Sequence, residues 1–434
     1  MNNLTGPFLT DLDDRARVKG SRDPLGAQPI WTRFGRHVIG NLTTVTTSLR
    51  DFTTLLLGYY FAERVAEEAG TGSEVETFLK WEQLAAYSRA YVNQDYSFRG
   101  TERVQATVSA GPRATLSAAP ATQILSDQKT YGLWGLYTVP GTASGFIERD
   151  RPILTPAAQD FVIRQYLPAV VQAGFPNADR IVEILSRPQY QLELAKRDAG
   201  LIECIARLLK RRVQQAERTF YGFHLLEGGP VDSTDGRQGL LATILSELPQ
   251  DTAVNVEPTT LRAIAKEAKS RGAVGEALAF RLDRIRACES VLAPSAVLFA
   301  YLQGCDGKTV ALAASRVRQE WGPSVRSVNI GEVKALREEF AAVRDDCADR
   351  LVALAEALAQ GAYEQVVRLL IEQNLATMQL RGGAAWIEER NGRLKIRVRN
   401  ELGALPPRAT LGSLWRFSYF LDSLLALTVE LRVK

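Results

Sequence analysis

The chain has 434 residues, too many for one simple core, and its 46% apolar and 24% charged content excludes a disordered or fibrous protein. The net charge is +4, from 53 basic and 49 acidic residues. That excess is too mild to imply nucleic acid by itself, so any such argument must rest on where the charges cluster. The opening segment MNNLTGPFLTDLDDRARVKG carries acids where a secretory leader needs a basic start and an apolar run. Four cysteines, Cys204, Cys288, Cys305 and Cys347, lack CxxC or CxxH spacing, which predicts packed, reduced thiols rather than zinc. A cytoplasmic setting follows, with no cofactor and no metal expected.

Residues 1–40 read as an irregular arm with a turn at Gly20–Gly26, fastened by Trp31, Phe34 and Ile39. Asn41 is placed to cap a helix running to Glu68, whose apolar face includes Leu42, Val45, Leu49, Phe52 and Leu56. Ser73 and Glu76 form a capping-box pattern for a helix to Val92, with Phe78, Trp81, Leu84, Ala85 and Tyr91 as core. The polar stretch from Tyr96 to Arg113 follows, then a helix from Pro120 to Gln128 or Lys129.

Helical spacing recurs at 157–173, 178–186, 190–222, 238–247, 259–270, 274–303, 309–320, 331–360 and 362–379. The run from Val291 to Leu302 is broken by Pro294 and Ser295 and is too short to span a bilayer, so no membrane contact is expected. Gly228–Gly236 reads as a linker or loop. Asn391-Gly392 is a hairpin signal between Trp386–Arg390 and Arg393–Val398. The aromatic segment Leu411–Leu431, which holds Trp415, Phe417, Tyr419 and Phe420, is expected to close the chain as a buried helix.

The segment Ser144-Gly145-Phe146-Ile147-Glu148-Arg149-Asp150-Arg151-Pro152-Ile153-Leu154-Thr155-Pro156 resembles the wing of a winged helix-turn-helix domain. An apolar pair starts a short strand, a charged turn follows, and Thr155 and Pro156 are good first residues for a new helix. The resemblance covers residues 75–175 and implies a nucleic-acid-binding module. The sequence departs from that pattern in the stretch that should read the groove. Tyr131–Pro140 is apolar and glycine-containing, better suited to protein than to base edges. The fold class expected is therefore mainly α, a multi-domain helical protein with a winged-helix-like module and a C-terminal β-hairpin. The segments are 1–40, 41–175, 176–380 and 381–434.

Three groups of cations are candidates for phosphate contact, which needs only charge and reach. Arg99, Arg103, Lys129, Arg149 and Arg151 surround the wing-like module. Arg207, Lys210 and Arg211 stand on one long helix, with Arg207, Arg211 and Arg218 on a common face. Arg393, Lys395, Arg397 and Arg399 alternate along the hairpin, opposite Leu394, Ile396 and Val398. Solvated helix faces and charge-protected edge strands are the ordinary uses of such patterns.

Catalytic signatures fail on specific residues. Gly304–Thr309 ends like a phosphate-binding loop, but Leu302 stands where the first glycine belongs, so the segment reads as a turn. His37 and His224 are the only histidines, and His224 reads as packed. Asp345-Asp346 and Glu388-Glu389 could serve a metal-dependent nuclease only if distant carboxylates converged, since adjacent side chains point apart. The expectation is a non-enzymatic nucleic-acid-associated or scaffold subunit of a bacterial multi-protein assembly. Duplex DNA and other protein subunits would be its partners. The arginine-rich texture resembles proteins of mobile genome-defence islands, and a nuclease or a purely protein-interacting module are the alternatives.

Overall fold

Residues 49–62 are buried on every side of the helix Leu49–Ala69, so its polar groups must find partners inside the protein. The computed structural model describes residues 23–46, 48–69, 73–172, 178–248, 256–400 and 402–432. The chain is mainly helical with two small antiparallel sheets, and divides into two compact units. One comprises Ile39–Leu248 with Phe420–Lys434, the other Met1–Val38 with Pro249–Tyr419.

In the first of these, Leu49–Ala69 packs along Glu74–Asn93. Gly58 makes this approach possible, because a Cβ there would meet the Phe78 ring at 2.5 Å and Trp81 at 2.9 Å. The Trp81 indole donates to the Thr54 carbonyl at 2.8 Å. One turn before Thr54, Arg50 forms a 2.7 Å ion pair with fully buried Glu217 and donates to the Arg211 carbonyl. Tyr166 and Tyr221 complete the group: Tyr166 donates to Glu217 at 3.1 Å, and the two phenols lie 2.8 Å apart. Burial alone would raise the Glu217 carboxyl, but Arg50 and its other donors hold it below the usual range. The first sheet pairs Arg113–Ser117 with Gln189–Glu193.

In the second unit the helix Gly272–Leu302 is the spine, flanked by Pro258–Lys269. By length and composition it could cross a membrane, but 67% of its apolar window is buried within the protein. The helix expected at 274–303 forms and continues through Pro294. Pro costs about 3 kcal/mol inside a helix, and burial of Val291, Leu292, Ala293, Leu298 and Phe299 offsets it. Asp23 accepts from the Ala27 amide at 2.8 Å and starts the helix Ala27–Arg36, so the N-terminal arm is not wholly irregular. Its other expected residues 1–22 lie outside the described ones. Gln373 and Asn374 donate to the carbonyls of Leu25 and Pro24, which tie this arm to Tyr363–Leu380. The hairpin Ile387–Arg390 with Arg393–Ile396 forms in the expected register around Asn391-Gly392.

Several expected elements differ. Asn41 caps nothing; it is buried, donating to the His224 carbonyl and accepting from Gln238. The helix Glu74–Asn93 forms, but Ser73 makes no side-chain cap bond. Residues 120–127 are turns, with a short helix Gln128–Tyr131 capped by Asp127. The single helix expected at 190–222 is a strand, then Ala199–Lys210, then Gln215–Tyr221 running into a π-helix at Gly222–Leu226. Residues 414–418 belong to no helix or strand, and the last helix is Leu421–Arg432. There the carboxylate of buried Glu289 takes the backbone N–H groups of Arg416 and Phe417, which helical bonds would otherwise use.

The Arg50–Glu217 pair yields a direct expectation. Glu217→Ala leaves a buried guanidinium without its carboxylate, a change that costs about 3–5 kcal/mol. Urea unfolding followed by tyrosine and tryptophan fluorescence should show that loss; an unchanged midpoint would refute the assigned role.

Candidate nucleic-acid interface

Polar residues between 99 and 131 are gathered around one loop. The helix Thr101–Ala110 begins after Gly100, whose φ of 85° and closeness to the Ile124 carbonyl, 2.7 Å from a notional Cβ, leave no room for a side chain. That contact seats the loop 118–127 against the helix start. Arg99 then donates to the Tyr131 carbonyl at 2.6 Å. Arg103 donates to the carbonyls of Gln123 and Leu125 at 2.9 and 3.1 Å. Lys129 is exposed on the short helix that ends the same loop.

Carbonyl anchoring has an electrostatic consequence. A guanidinium has five donors, and a neutral carbonyl fixes its position without cancelling its charge. Next to Arg103 lies an open groove of about 470 Å³, lined also by Arg113, Thr107, Thr115, Gln123 and Gln191. Arg113 and Thr115 come from the first strand, and Gln191 from its partner, bonded to Thr115 at 3.2 Å. No carboxylate lines the groove among the described residues. Three acids lie on the adjoining elements, and one of them, Glu193, stands opposite Arg113 in the strand pairing. Asp127 is committed to capping, and its bonds from Thr130 hold it below the usual carboxylate range; Glu102 sits in the first helical turn.

The other predicted cations have different fates. Arg149 and Arg151 are exposed on the turn of the wing-like segment. That segment has one bridge, Ile147 with Leu154, and Thr155 caps Pro156–Gln165 by accepting from the Ala158 amide. The strand Arg113–Ser117 pairs with 189–193 rather than with this bridge. Arg207 and Lys210 are exposed in the last turn of Ala199–Lys210. The helix ends there, so Arg211 leaves the expected common face, lying 3.4 Å from Glu217 and over the Tyr166 ring.

On the hairpin, Arg393 and Lys395 are exposed and Leu394 and Ile396 buried, as alternation requires. Three of its cations are paired with acids: Arg397 and Arg390 with Glu388, and Arg399 with Asp306. Arg393 donates to the Gly307 carbonyl, which leaves its charge in place. Three of the four candidate nuclease acids are occupied by such pairs: Glu388 by Arg390 and Arg397, Asp346 by Arg344 and Arg350, and Glu389 by Arg368. No group of three or more potential metal-ligating side chains occurs among the described residues.

The helix Leu133–Ala143, in the place of a groove reader, faces inward. Trp134 stacks on Tyr59 at 5.0 Å, and the Tyr137 phenol donates to Asp51 at 2.8 Å. Gly135 and Val139 are its exposed residues, neither able to hydrogen-bond a base edge through its side chain. His224 is packed behind the wing-like segment. Its Nδ1 lies 2.6 Å from the Ser144 carbonyl, which can only accept, so Nδ1 carries the proton.

Beside Arg99 is a small pocket of about 20 Å³, room for a single water, bordered by Asp51, Glu82, Arg89 and Thr54. Burial pushes Asp51 up to about 6, against the hydrogen bond from Tyr137 and the charge of Arg89. Burial likewise pushes Glu82 up to about 7, opposed by donors from Leu133 and Gln128. Sequence reasoning found Arg99, Arg103, Lys129 and Arg113 but missed the strand that presents Thr115 and Gln191. The alternation of Arg113-Ala114-Thr115-Leu116 was the available signal. The chain matches no protein-family model, no curated protein and no solved structure.

Both carboxyls bind protons more tightly folded than unfolded. Their favourable contribution is therefore complete below pH 4 and is lost as pH rises through 6 and 7. Asp51→Asn should flatten the decline in thermal midpoint between pH 5 and 8, relieving on the order of 3 kcal/mol at the upper end. Parallel pH profiles for variant and parent would count against this account.

Proposed function

We propose that the chain is a non-enzymatic nucleic-acid-associated protein that holds backbone phosphates without reading bases. The observation that carries this reading is the groove at Arg103 and Arg113, where two guanidiniums stand among hydroxyls and amides with no carboxylate in the lining. Such groups are the ordinary partners of phosphate and sugar oxygens, and they carry no sequence information. Arg99 and Lys129 on the adjoining loop add to the local field, while the inward-facing Leu133–Ala143 supports binding without base selection. Contacts of this kind release counterions and weaken steeply with salt.

A second reading, a scaffold that takes a protein partner, has its own support. Val139 and Val231 are 74% and 71% exposed and line one cleft of about 540 Å³ with Arg149 and Asp232. Exposed apolar residues grouped in a cleft suit protein contact better than phosphate. Gly145 and Gly229 shape it: both have positive φ, and a Cβ on either would collide with Pro230 or with the Ser144 carbonyl at 2.6 Å.

Fluorescence anisotropy with labelled duplex and single-stranded oligonucleotides at several salt concentrations tests the primary reading. The double change Arg103→Glu with Arg113→Glu should weaken binding at least about tenfold for unrelated sequences alike, and lower the salt slope by about one per lost phosphate contact. Val139→Asp should leave that affinity unchanged. Absence of binding by the parent protein at low salt would sink the nucleic-acid reading and leave the scaffold as the better account.

A further inference from the structure

The unit built on the helix Gly272–Leu302 contains a cavity of about 490 Å³, within the range that holds a small molecule. It is separate from the Arg103 groove, and the phosphate reading does not use it. Its apolar wall is made of Leu25, Phe299, Trp386 and Phe417, with Phe417 itself stacked on Trp31 at 6.3 Å. Three aromatic rings at one cavity are a surface for a flat ring system.

Two amides add directional chemistry. Gln303 is 7% exposed and donates to the Val398 carbonyl at 3.0 Å, which fixes its orientation and leaves its carbonyl oxygen as an acceptor. Asn400 accepts from the Leu402 amide at 3.1 Å, which leaves its NH2 as a donor. One acceptor and one donor beside aromatic rings match the polar edge of a nucleobase.

The charged residues that line the cavity are two cations, Arg399 and Arg416, and one acid. Asp23, its single acid, already accepts from the Ala27 and Gln28 amides and from Arg381. Arg399 pairs with Asp306 at a solvent-exposed position, where a second anion can share the guanidinium. Arg416 is exposed and has no ion pair among the described residues. Glu289 takes the Arg416 backbone N–H, and so holds the residue in place while its side chain stays at the cavity.

We propose that this cavity binds a free mononucleotide. The base lies against Phe299, Trp386 and Phe417, its polar edge meets Gln303 and Asn400, and Arg399 and Arg416 take the phosphate.

Isothermal titration calorimetry of the full chain with AMP, GMP, CMP and UMP, and with adenosine and inorganic phosphate, tests this. At least one monophosphate should bind saturably, and the nucleoside or phosphate alone should bind at least about tenfold more weakly. Arg416→Glu should weaken the monophosphate about tenfold or more and leave adenosine binding unchanged. Phe417→Leu should weaken both, with the thermal midpoint showing that the variant is folded. The Arg103→Glu, Arg113→Glu protein should bind the monophosphate as the parent does, which separates this cavity from the phosphate groove. No saturable binding of any monophosphate, or equal affinity in the Arg416→Glu protein, would overturn the proposal.

Discussion

The buried pair of Arg50 and Glu217 constrains everything around it in the unit that carries the candidate interface. Glu217 has no exposed surface, so its charge is tolerable only because Arg50, Tyr166 and the Gln214 amide all donate to it. Those donors come from the helix Leu49–Ala69, from the end of Pro156–Gln165, and from the start of Gln215–Tyr221. One carboxylate thus fixes three stretches that are distant in sequence. Replacing the pair with apolar residues could match its stability, but it would lose the orientation that the donors impose.

The same requirement sorts the arginines. Arg211 is drawn toward Glu217 and Tyr166, which takes it out of the basic face that its spacing suggested. On the hairpin, Glu388 absorbs the charges of Arg390 and Arg397, while Asp306 pairs with Arg399 at an exposed position. Arg99 and Arg103 are held by main-chain carbonyls instead. Arg103 is positioned without an ion-paired acid, so its charge survives at the surface, whereas Arg99 also feels buried Asp51 and Glu82. Counting basic residues could not separate these cases, since the partner of each guanidinium is a tertiary fact.

Much of the helical architecture was legible because burial and periodicity agree. Phe78, Trp81, Leu84 and Ala85 are buried as their spacing demands, and Asn391-Gly392 turns the hairpin with the expected faces. Elements set by distant partners were not legible. Gln189–Glu193 is a strand because Arg113–Ser117 lies beside it, although its local pattern continues a helix. Asn41 has a capping residue's chemistry, but His224 and Gln238 claim its amide. Of the candidate interface, the cations were legible from composition along 99–129; the groove between them needed the strand pairing.

The segment 414–420 shows how one buried acid can override a strong local pattern. Its aromatic spacing reads as a helix, yet Glu289 accepts the amides of Arg416 and Phe417 and the Tyr419 phenol. Burial pushes Glu289 up to about 7, and the donors oppose that shift by favouring the carboxylate. Tyr419 and Phe420 then both take positive φ, 47° and 64°, which costs of order 1–3 kcal/mol each for residues with a Cβ. Such strain persists only where the surroundings over-determine it. Here the Glu289 bonds to successive amides supply the constraint, and the non-helical backbone they hold sets Phe417 beside Trp31. A continued helix would have used those amides internally and carried Arg416 and Phe417 to different faces, 100° apart. The placement of an aromatic ring and a guanidinium on one cavity wall is therefore a consequence of where Glu289 is buried.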